Sequence, residues 1–410
     1  MKPLEGVRVL DVSRLVSGPV CCWFLASLGA EVIRVEGPGG DQSWQTPPFV
    51  GPEGLHRGKR GPRDIGLSPL RKHRGKRSVV LDLKNTEGLA AFKSLAAKCD
   101  VLVENFRPGT TARLGIDYDT LSAENPRLVY CSITGYGDSG PYRDRSAMDL
   151  VVQAVSGLMA KTGFADGPPT KVGATVGDQV PALFAALGVL AALRQRDQEG
   201  RGQHVDVAML DSLVTLLWDE PLDDYEERGF PERVGNGDPR GAPLEVFSTR
   251  DGWIALVNTS DEQWRRLCER MGRRELVERY PDLASRAAAR DEVNGVVQHW
   301  LEGYSTEQAL AHLLEVGIPA GPVQSAWGAR DDPQVAHRGA LESLRHPDLA
   351  EPVERLAPVL PIRLSRAELK PAPAELLGSS TEAILRELLE ADDEEIARLR
   401  AAGALGPEDP

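Results

Sequence analysis

The chain has 410 residues, 41 % hydrophobic and 27 % charged, the balance of an ordinary globular protein with room for two or three domains of ~150 residues. Its net charge of −13 argues against an extended nucleic-acid surface and against binding to anionic membranes. Met1-Lys2-Pro3-Leu4-Glu5 runs straight into a strand pattern without a signal peptide's apolar core, so the cytoplasm is the expected compartment. The five cysteines (Cys21, Cys22, Cys99, Cys131, Cys268) form no Cys-x-x-Cys pair and have no histidine at ligand spacing, so no metal site is expected. Cys21, Cys22 and Cys131 fall in apolar segments and read as core residues.

Residues 7–12 read as a buried strand, and Ser17-Gly18-Pro19 turns the chain into a helix that Gly29-Ala30 ends. A second strand follows at 31–36, which makes a βαβ unit with parallel strands and a right-handed crossover. The pattern continues with a strand at 78–83, a helix at 86–98 and strands at 100–104 and 127–133. This is a doubly wound α/β domain, with ligands expected at the carboxyl ends of its strands. Gly-x-Gly-x-x-Gly is absent after the first strand, which argues against a nicotinamide or flavin enzyme. Between the second and third strands, His-Arg-Gly-Lys-Arg occurs twice, at 56–60 and 73–77. From Arg57 to Arg77 there are nine Lys or Arg and one acid, either a solvated loop or a local phosphate-binding patch.

Gly177-Asp178-Gln179 precedes 14 apolar residues, 180–193, too few for a membrane span and read as a helix buried on all sides. Pro181 suits that helix's first turn. Asp178 then sits where a loop meets unpaired N–H groups and the positive end of the dipole, and is expected to stay ionised. It is either a helix N-cap or a nucleophilic carboxylate. After the helix, residues 203–209 begin a strand or a further helix, and the acidic stretch 223–227 suggests a linker. Residues 235–241 form a loop. Strands at 244–249 and 253–257 and helices around Trp264, 293–301 and 307–316 read as a smaller α+β domain. Pro-rich extended chain runs on to Pro373, and a helical region at 381–400 closes the sequence. No Ser/His/Asp triad, nucleophile elbow or Walker loop can be assembled, and His204 reads as a packing or hydrogen-bonding residue.

Six stretches in order carry a resemblance. They are Pro3-Leu4-Glu5-Gly6-Val7-Arg8-Val9-Leu10-Asp11, Leu28-Gly29-Ala30-Glu31-Val32-Ile33, and Gly75-Lys76-Arg77-Ser78-Val79-Val80-Leu81-Asp82-Leu83-Lys84. Val103-Glu104-Asn105-Phe106-Arg107-Pro108-Gly109 with Arg113-Leu114-Gly115 comes next, then Tyr130-Cys131-Ser132-Ile133-Thr134-Gly135-Tyr136-Gly137 and Gly317-Ile318-Pro319-Ala320-Gly321-Pro322-Val323. In these the chain resembles the class III coenzyme A transferases, the family of formyl-CoA transferase and the carnitine CoA-transferases, to which acyl-CoA racemases are related. The resemblance implies Asp178 as nucleophile, with CoA along Val16, Ser17, Lys76, Leu81, Asp82, Leu83, Lys84, Asn105, Phe106, Arg107 and Arg113. Arg14, Met148 and Asp149 fall on the substrate side, and Arg14 is a candidate partner for a second carboxylate, which favours a dicarboxylic acid. It further implies a Rossmann-like large domain built from 1–215 and a return segment 321–410, a small α+β domain at 216–320, and an interlocked homodimer.

The implied reaction moves CoA from an acyl-CoA to a small carboxylic acid through an aspartyl–CoA thioester, with no ATP and no permanently bound cofactor. Backbone N–H groups at the helix N-terminus are the expected oxyanion donors. Three departures stand out. The segment before Lys76 is basic, with His73 where the family has Asn. The 235–241 loop matches the family's glycine-rich lid poorly. Met148 stands where the racemases carry a catalytic histidine. A racemase is the alternative that Met148 opposes, and a non-catalytic acyl-CoA binding protein the one that the intact Gly177-Asp178 opposes.

Overall fold

The computed structural model describes residues 2–406. The chain divides into two compact units: Met1–Ser156 with Gly173–Leu217 and Gln334–Pro410, and Gly157–Val172 with Trp218–Pro333. Residues 157–172 and 321–333 thus group with the second unit.

The first unit is built on six strands: β1 (Arg8–Asp11), β2 (Glu31–Glu36), β3 (Lys76–Val80), β4 (Val101–Glu104), β5 (Val129–Thr134) and β6 (His204–Ala208). They pair in the order β3-β2-β1-β4-β5-β6, every neighbour parallel. The stretch at 203–209, open between strand and helix, is therefore the edge strand β6. Val9, Val101, Val103, Val129 and Cys131 face one side of the sheet, against α1 (Ser17–Ser27) and the long α5 (Val176–Glu199). Leu10, Ile33, Val79, Leu102 and Tyr130 face the other, against α3 (Thr86–Ala96) and two C-terminal helices, Thr381–Leu389 and Asp393–Ala401. A sheet covered on both faces needs strands apolar on both faces, and these strands are. The order reverses between β1 and β4, and such a switch point opens a crevice at the strands' carboxyl ends.

Helix α5 departs from expectation in two ways. Pro181, Ala182, Ala185, Ala186, Val189, Ala192 and Leu193 are buried at helical spacing, but Leu183, Phe184 and Leu187 are exposed. The run is apolar all round while only one face is covered by this chain. The helix also begins at Val176, which puts Pro181 in its second turn, where it withholds the hydrogen bond owed to the Gly177 carbonyl.

In the second unit, Leu244–Ser248, Trp253–Val257 and Ala320–Pro322 form an antiparallel sheet. Phe247, Ile254 and Leu256 share a core with Trp264, Leu267, Val293, Val297 and Leu313 of its helices. Capping boxes at Ser260 and Ser305 set two of the helix starts. The acidic stretch expected as a linker is a helix, Leu222–Glu227. The stretch expected to be extended beyond residue 321 holds short helices, Ala326–Arg330 and Pro333–His337, and a hairpin of Leu341–Ser343 with Leu356–Pro358.

Candidate active site

The crevice at the switch point is a cavity of about 770 Å³, in the range of small-molecule sites. Its walls are the loops after β1 (Val12, Ser13, Arg14, Leu15), after β2 (Glu36 to Gln42), after β3 (Leu81, Asp82, Leu83, Lys84) and after β4 (Phe106, Thr110, Arg113, Leu114). Seven of the expected residues therefore meet here, and Arg14, Lys84 and Arg113 present exposed cations to it. Asn105 shapes the wall: its Oδ1 accepts the Arg14 N–H at 2.7 Å, and its Nδ2 donates to the Arg14 carbonyl at 2.8 Å and to Ser17 Oγ at 3.3 Å. Val16 and Ser17 turn that loop into α1, and a Cβ on Gly18 would stand 2.1 Å from Ser13 Cβ, so only glycine lets loop and helix close. The Arg14 guanidinium lies 5.0 Å from the centre of the Phe106 ring. Arg107 is elsewhere, in a shallower hollow of about 300 Å³ with Glu104, Asp138 and His204. His204 Nε2 hydrogen-bonds Ser132 Oγ at 2.9 Å and stacks on Tyr118, the packing role read for it.

Much of the basic stretch is committed to other parts of this chain. Lys76 is 3 % exposed, and its Nζ donates to Asp11 Oδ2 and to the Pro19 carbonyl, both at 2.8 Å, so it has no access to a ligand. Arg63 pairs with Asp348, Arg74 with Glu342, Arg77 with Glu31 and Glu387, and Arg71 donates to the Leu356 carbonyl. These cations dock the returning C-terminal segment instead. Lys76 also belongs to a buried network that sequence reasoning missed. Arg34 reaches Asp11 at 3.1 Å, Glu36 at 3.0 Å and Asp41 at 3.2 Å. Burial alone would raise the Asp11 carboxyl, but Lys76 and Arg34 hold it well below the usual range. His73 is buried against Trp44, and burial together with Arg34, Lys76 and Lys72 keeps it neutral.

Asp178 is the third residue of α5, not its N-cap; Thr175 holds that position. Its carboxylate accepts no hydrogen bond among the described residues. The N–H groups around it are spent: Gly177 N–H goes to Asp149 Oδ1 at 2.8 Å, and those of Asp178 and Gln179 go to the Thr175 carbonyl. The expected oxyanion donors are thus already bonded. Asp149, expected on the substrate side, braces the helix start, accepting Gly177 N–H and, at 3.0 Å, Gln153 Nε2. Gly177 is required for it, because a Cβ there would fall 2.9 Å from Asp149 Oδ1. Met148, one residue earlier, is exposed. Burial first and the neighbouring Asp149 second push Asp178 up to about 6, with Lys72 opposing. The expectation of a carboxylate stabilised in its charged form is therefore reversed.

Lys72 is the residue sequence reasoning passes over. It ends α2 (Leu67–Lys72), and its Nζ donates to Ser68 Oγ at 2.8 Å and to the Leu15 carbonyl at 3.3 Å. Burial lowers its pKa, while Asp178 and Asp41 work in the other direction. Leu15, on the cavity wall, sits at φ +63° and is pinned from both sides, its N–H donating to Asp41 at 2.8 Å and its carbonyl accepting from Lys72. Through Leu15 and Lys72 the cavity rim is coupled to Asp178.

Comparison with known proteins agrees with this geometry. A solved CAIB/BAIF family protein from Brucella suis superposes with a TM-score of 0.80 at 33 % identity, over 94 % of this chain and 99 % of that one. The succinyl-CoA:mesaconate CoA-transferase of Haloarcula hispanica is 39 % identical over 86 % of this chain and 88 % of its own length. The human succinyl-CoA:glutarate CoA-transferase is 33 % identical over 99 % and 90 %. The alpha subunit of the succinyl-CoA–L-malate CoA-transferase of Chloroflexus aurantiacus is 37 % identical over 97 % and 92 %. The family model for CoA-transferase family III matches residues 4–378. The chain belongs to that family, and it is an enzyme that transfers coenzyme A from an acyl-CoA to a carboxylic acid.

Proposed function

We propose that Asp178 carries the coenzyme A between the two half-reactions, and that both acids are dicarboxylic, with succinyl-CoA as donor. The carboxylate of Asp178 attacks the thioester carbonyl, the C–S bond breaks, and a mixed anhydride and CoA thiolate result. The thiolate attacks the aspartyl carbonyl carbon and expels the donor acid as its carboxylate, leaving an aspartyl–CoA thioester. An acceptor carboxylate attacks that thioester, and the released thiolate attacks the acceptor's acyl carbon, which frees Asp178. The carrying observation is the state of Asp178: half-buried, without a hydrogen-bond partner among the described residues, and with its pKa raised to about 6. At pH 7 roughly ten carboxylates are ionised for each protonated one, and none is tied down by a donor that would blunt it. The dicarboxylic reading rests on the names of the relatives, each of which pairs succinyl-CoA or succinate with a second acid carrying two carboxylates.

We also infer a homodimer. Leu183, Phe184 and Leu187 of α5 stand exposed beside Leu216 of α6 (Met209–Leu217) and Met148, Leu150, Val151 and Val155 at and along α4 (Asp149–Val155). A contiguous apolar face of this kind needs a partner, and the family's paired chains supply one.

Incubation with succinyl-CoA and no acceptor, followed by digestion and mass spectrometry, is expected to place the mass of CoA on the peptide holding Asp178. An adduct on another residue, or transfer at the normal rate by Asp178→Ala, would refute the assignment.

A further inference from the structure

Of the cations at 71–77, Arg71 and Lys72 are half-buried and without an acidic contact among the described residues, and of these two it is Lys72 that bonds a residue of the cavity wall, Leu15. Arg74, Lys76 and Arg77 each hold a carboxylate, and Arg71 holds a carbonyl. Lys72 makes no ion pair within 4.0 Å among the described residues. Its ammonium has three N–H donors, of which Ser68 Oγ and the Leu15 carbonyl take two. Ser68 and Lys72 lie one turn apart on α2, so the helix fixes the stem, and the third donor has no hydrogen-bond partner among the described residues. A poorly solvated cation with a spare donor is expensive unless an anion comes to it.

We propose that Lys72 is the specificity-determining residue of the transfer, holding the second, non-reacting carboxylate of a dicarboxylic substrate. The inference rests on Asp178 being the nucleophile. In the resting enzyme the charge of Lys72 is offset by Asp178 and Asp41. Once Asp178 becomes an anhydride or a thioester it is neutral, and Lys72 loses one of these two anions. The enzyme then selects its acceptor in a state that lacks one negative charge beside an ammonium. An acid with a single carboxylate must commit that group to the thioester carbon. A dicarboxylic acid places one carboxylate there and returns the other to Lys72. Arg14 is the less suitable partner, since its guanidinium lies over Phe106 on the coenzyme cavity's wall.

The test separates this step from donor chemistry. Wild type, Lys72→Met, Lys72→Arg and Arg14→Met are loaded with succinyl-CoA to the end point of adduct formation and desalted. Each is then mixed with succinate, glutarate, butyrate or valerate, and the second-order rate of adduct loss is followed by mass spectrometry. Wild type is expected to prefer the dicarboxylic acids strongly. Lys72→Met lowers the dicarboxylate-to-monocarboxylate ratio by about ten-fold or more, Lys72→Arg keeps it within about three-fold, and Arg14→Met leaves it unchanged. An unchanged ratio in Lys72→Met, or an equal fall for both acid classes, overturns the role of Lys72 while leaving Asp178 in place. Failure of the wild type to form any adduct on Asp178 overturns the nucleophile and this inference with it.

Discussion

Two groups of charge meet at Leu15, whose N–H goes to one and whose carbonyl takes the other. On one side are Asp11, Arg34, Glu36, Asp41 and Lys76, buried and paired with one another, with Ser13, Trp44 and the Pro19 carbonyl adding further bonds. On the other are Asp149, Asp178 and Lys72, in which Asp178 feels one like charge and one cation and has no donor among the described residues. The first group fixes a loop; the second keeps a group reactive. The difference lies less in which residue types are present than in whether each charge has been given partners. Burial with partners drives the Asp11 carboxyl down, and burial without them drives the Asp178 carboxyl up.

Breaking the paired group should have the largest effect on stability. Lys76→Met leaves Asp11 with Arg34 as its one cation in a buried site, a loss of about 3–5 kcal/mol by chemical denaturation. Wild-type stability with weakened binding of CoA thioesters would instead return Lys76 to the ligand. Arg113 makes the complementary case. It is exposed on the cavity wall, and among the described residues its guanidinium makes one hydrogen bond, at 3.2 Å to Thr110 Oγ1. Arg113→Ala is expected to leave stability within about 0.5 kcal/mol of wild type while weakening CoA thioesters by about 1–3 kcal/mol, less at high salt. An unchanged Michaelis constant removes Arg113 from the site.

The same contrast explains what can be read from the sequence. The parallel strands are legible because each is a short apolar run between turn signals, and the fingerprint of the family picks out the wall residues of the cavity. Lys76 is misplaced by sequence alone because nothing in Gly75-Lys76-Arg77 tells a cation that points at Asp11 from one that points at solvent; only the pairing of β2 with β3 does. Lys72 is lost among nine cations for the same reason, its distinction being the lack of an acid that most of its neighbours have found. Asp178 stands out in the sequence, but with its electrostatics reversed. The helix starts at Val176, ahead of the apolar run, and this moves Asp178 from a cap to the interior of the first turn. There Thr175 and Asp149 take the N–H groups it was expected to use. Helix α5 reads as fully buried because its exposed face is as apolar as its packed one.

The under-partnered site carries a stability cost that substitution should release. With a folded value of about 6 against about 3.9 in the unfolded chain, Asp178 binds its proton more tightly when folded. Its favourable contribution is therefore complete below pH ~4 and is lost as the pH rises through about 6, where folding must bury the charged form beside Asp149. Asn keeps the shape and removes the charge. Discounted for the solvent that reaches this half-buried side chain, Asp178→Asn should raise stability at pH 7 by about 1–2 kcal/mol, and the gain should vanish near pH 4. Transfer should fall by about a thousand-fold or more, since an amide cannot attack the thioester. Denaturation curves for both proteins between pH 4 and 8, scored beside CoA transfer, check the two effects together. A cap residue would give the opposite sign, with Asn no better than neutral at every pH and Asp178→Ala about 1 kcal/mol worse. Equal stability of Asp178→Asn and wild type at pH 7 would mean that the carboxylate finds partners in solution, and its reactivity could then no longer be traced to a lack of donors.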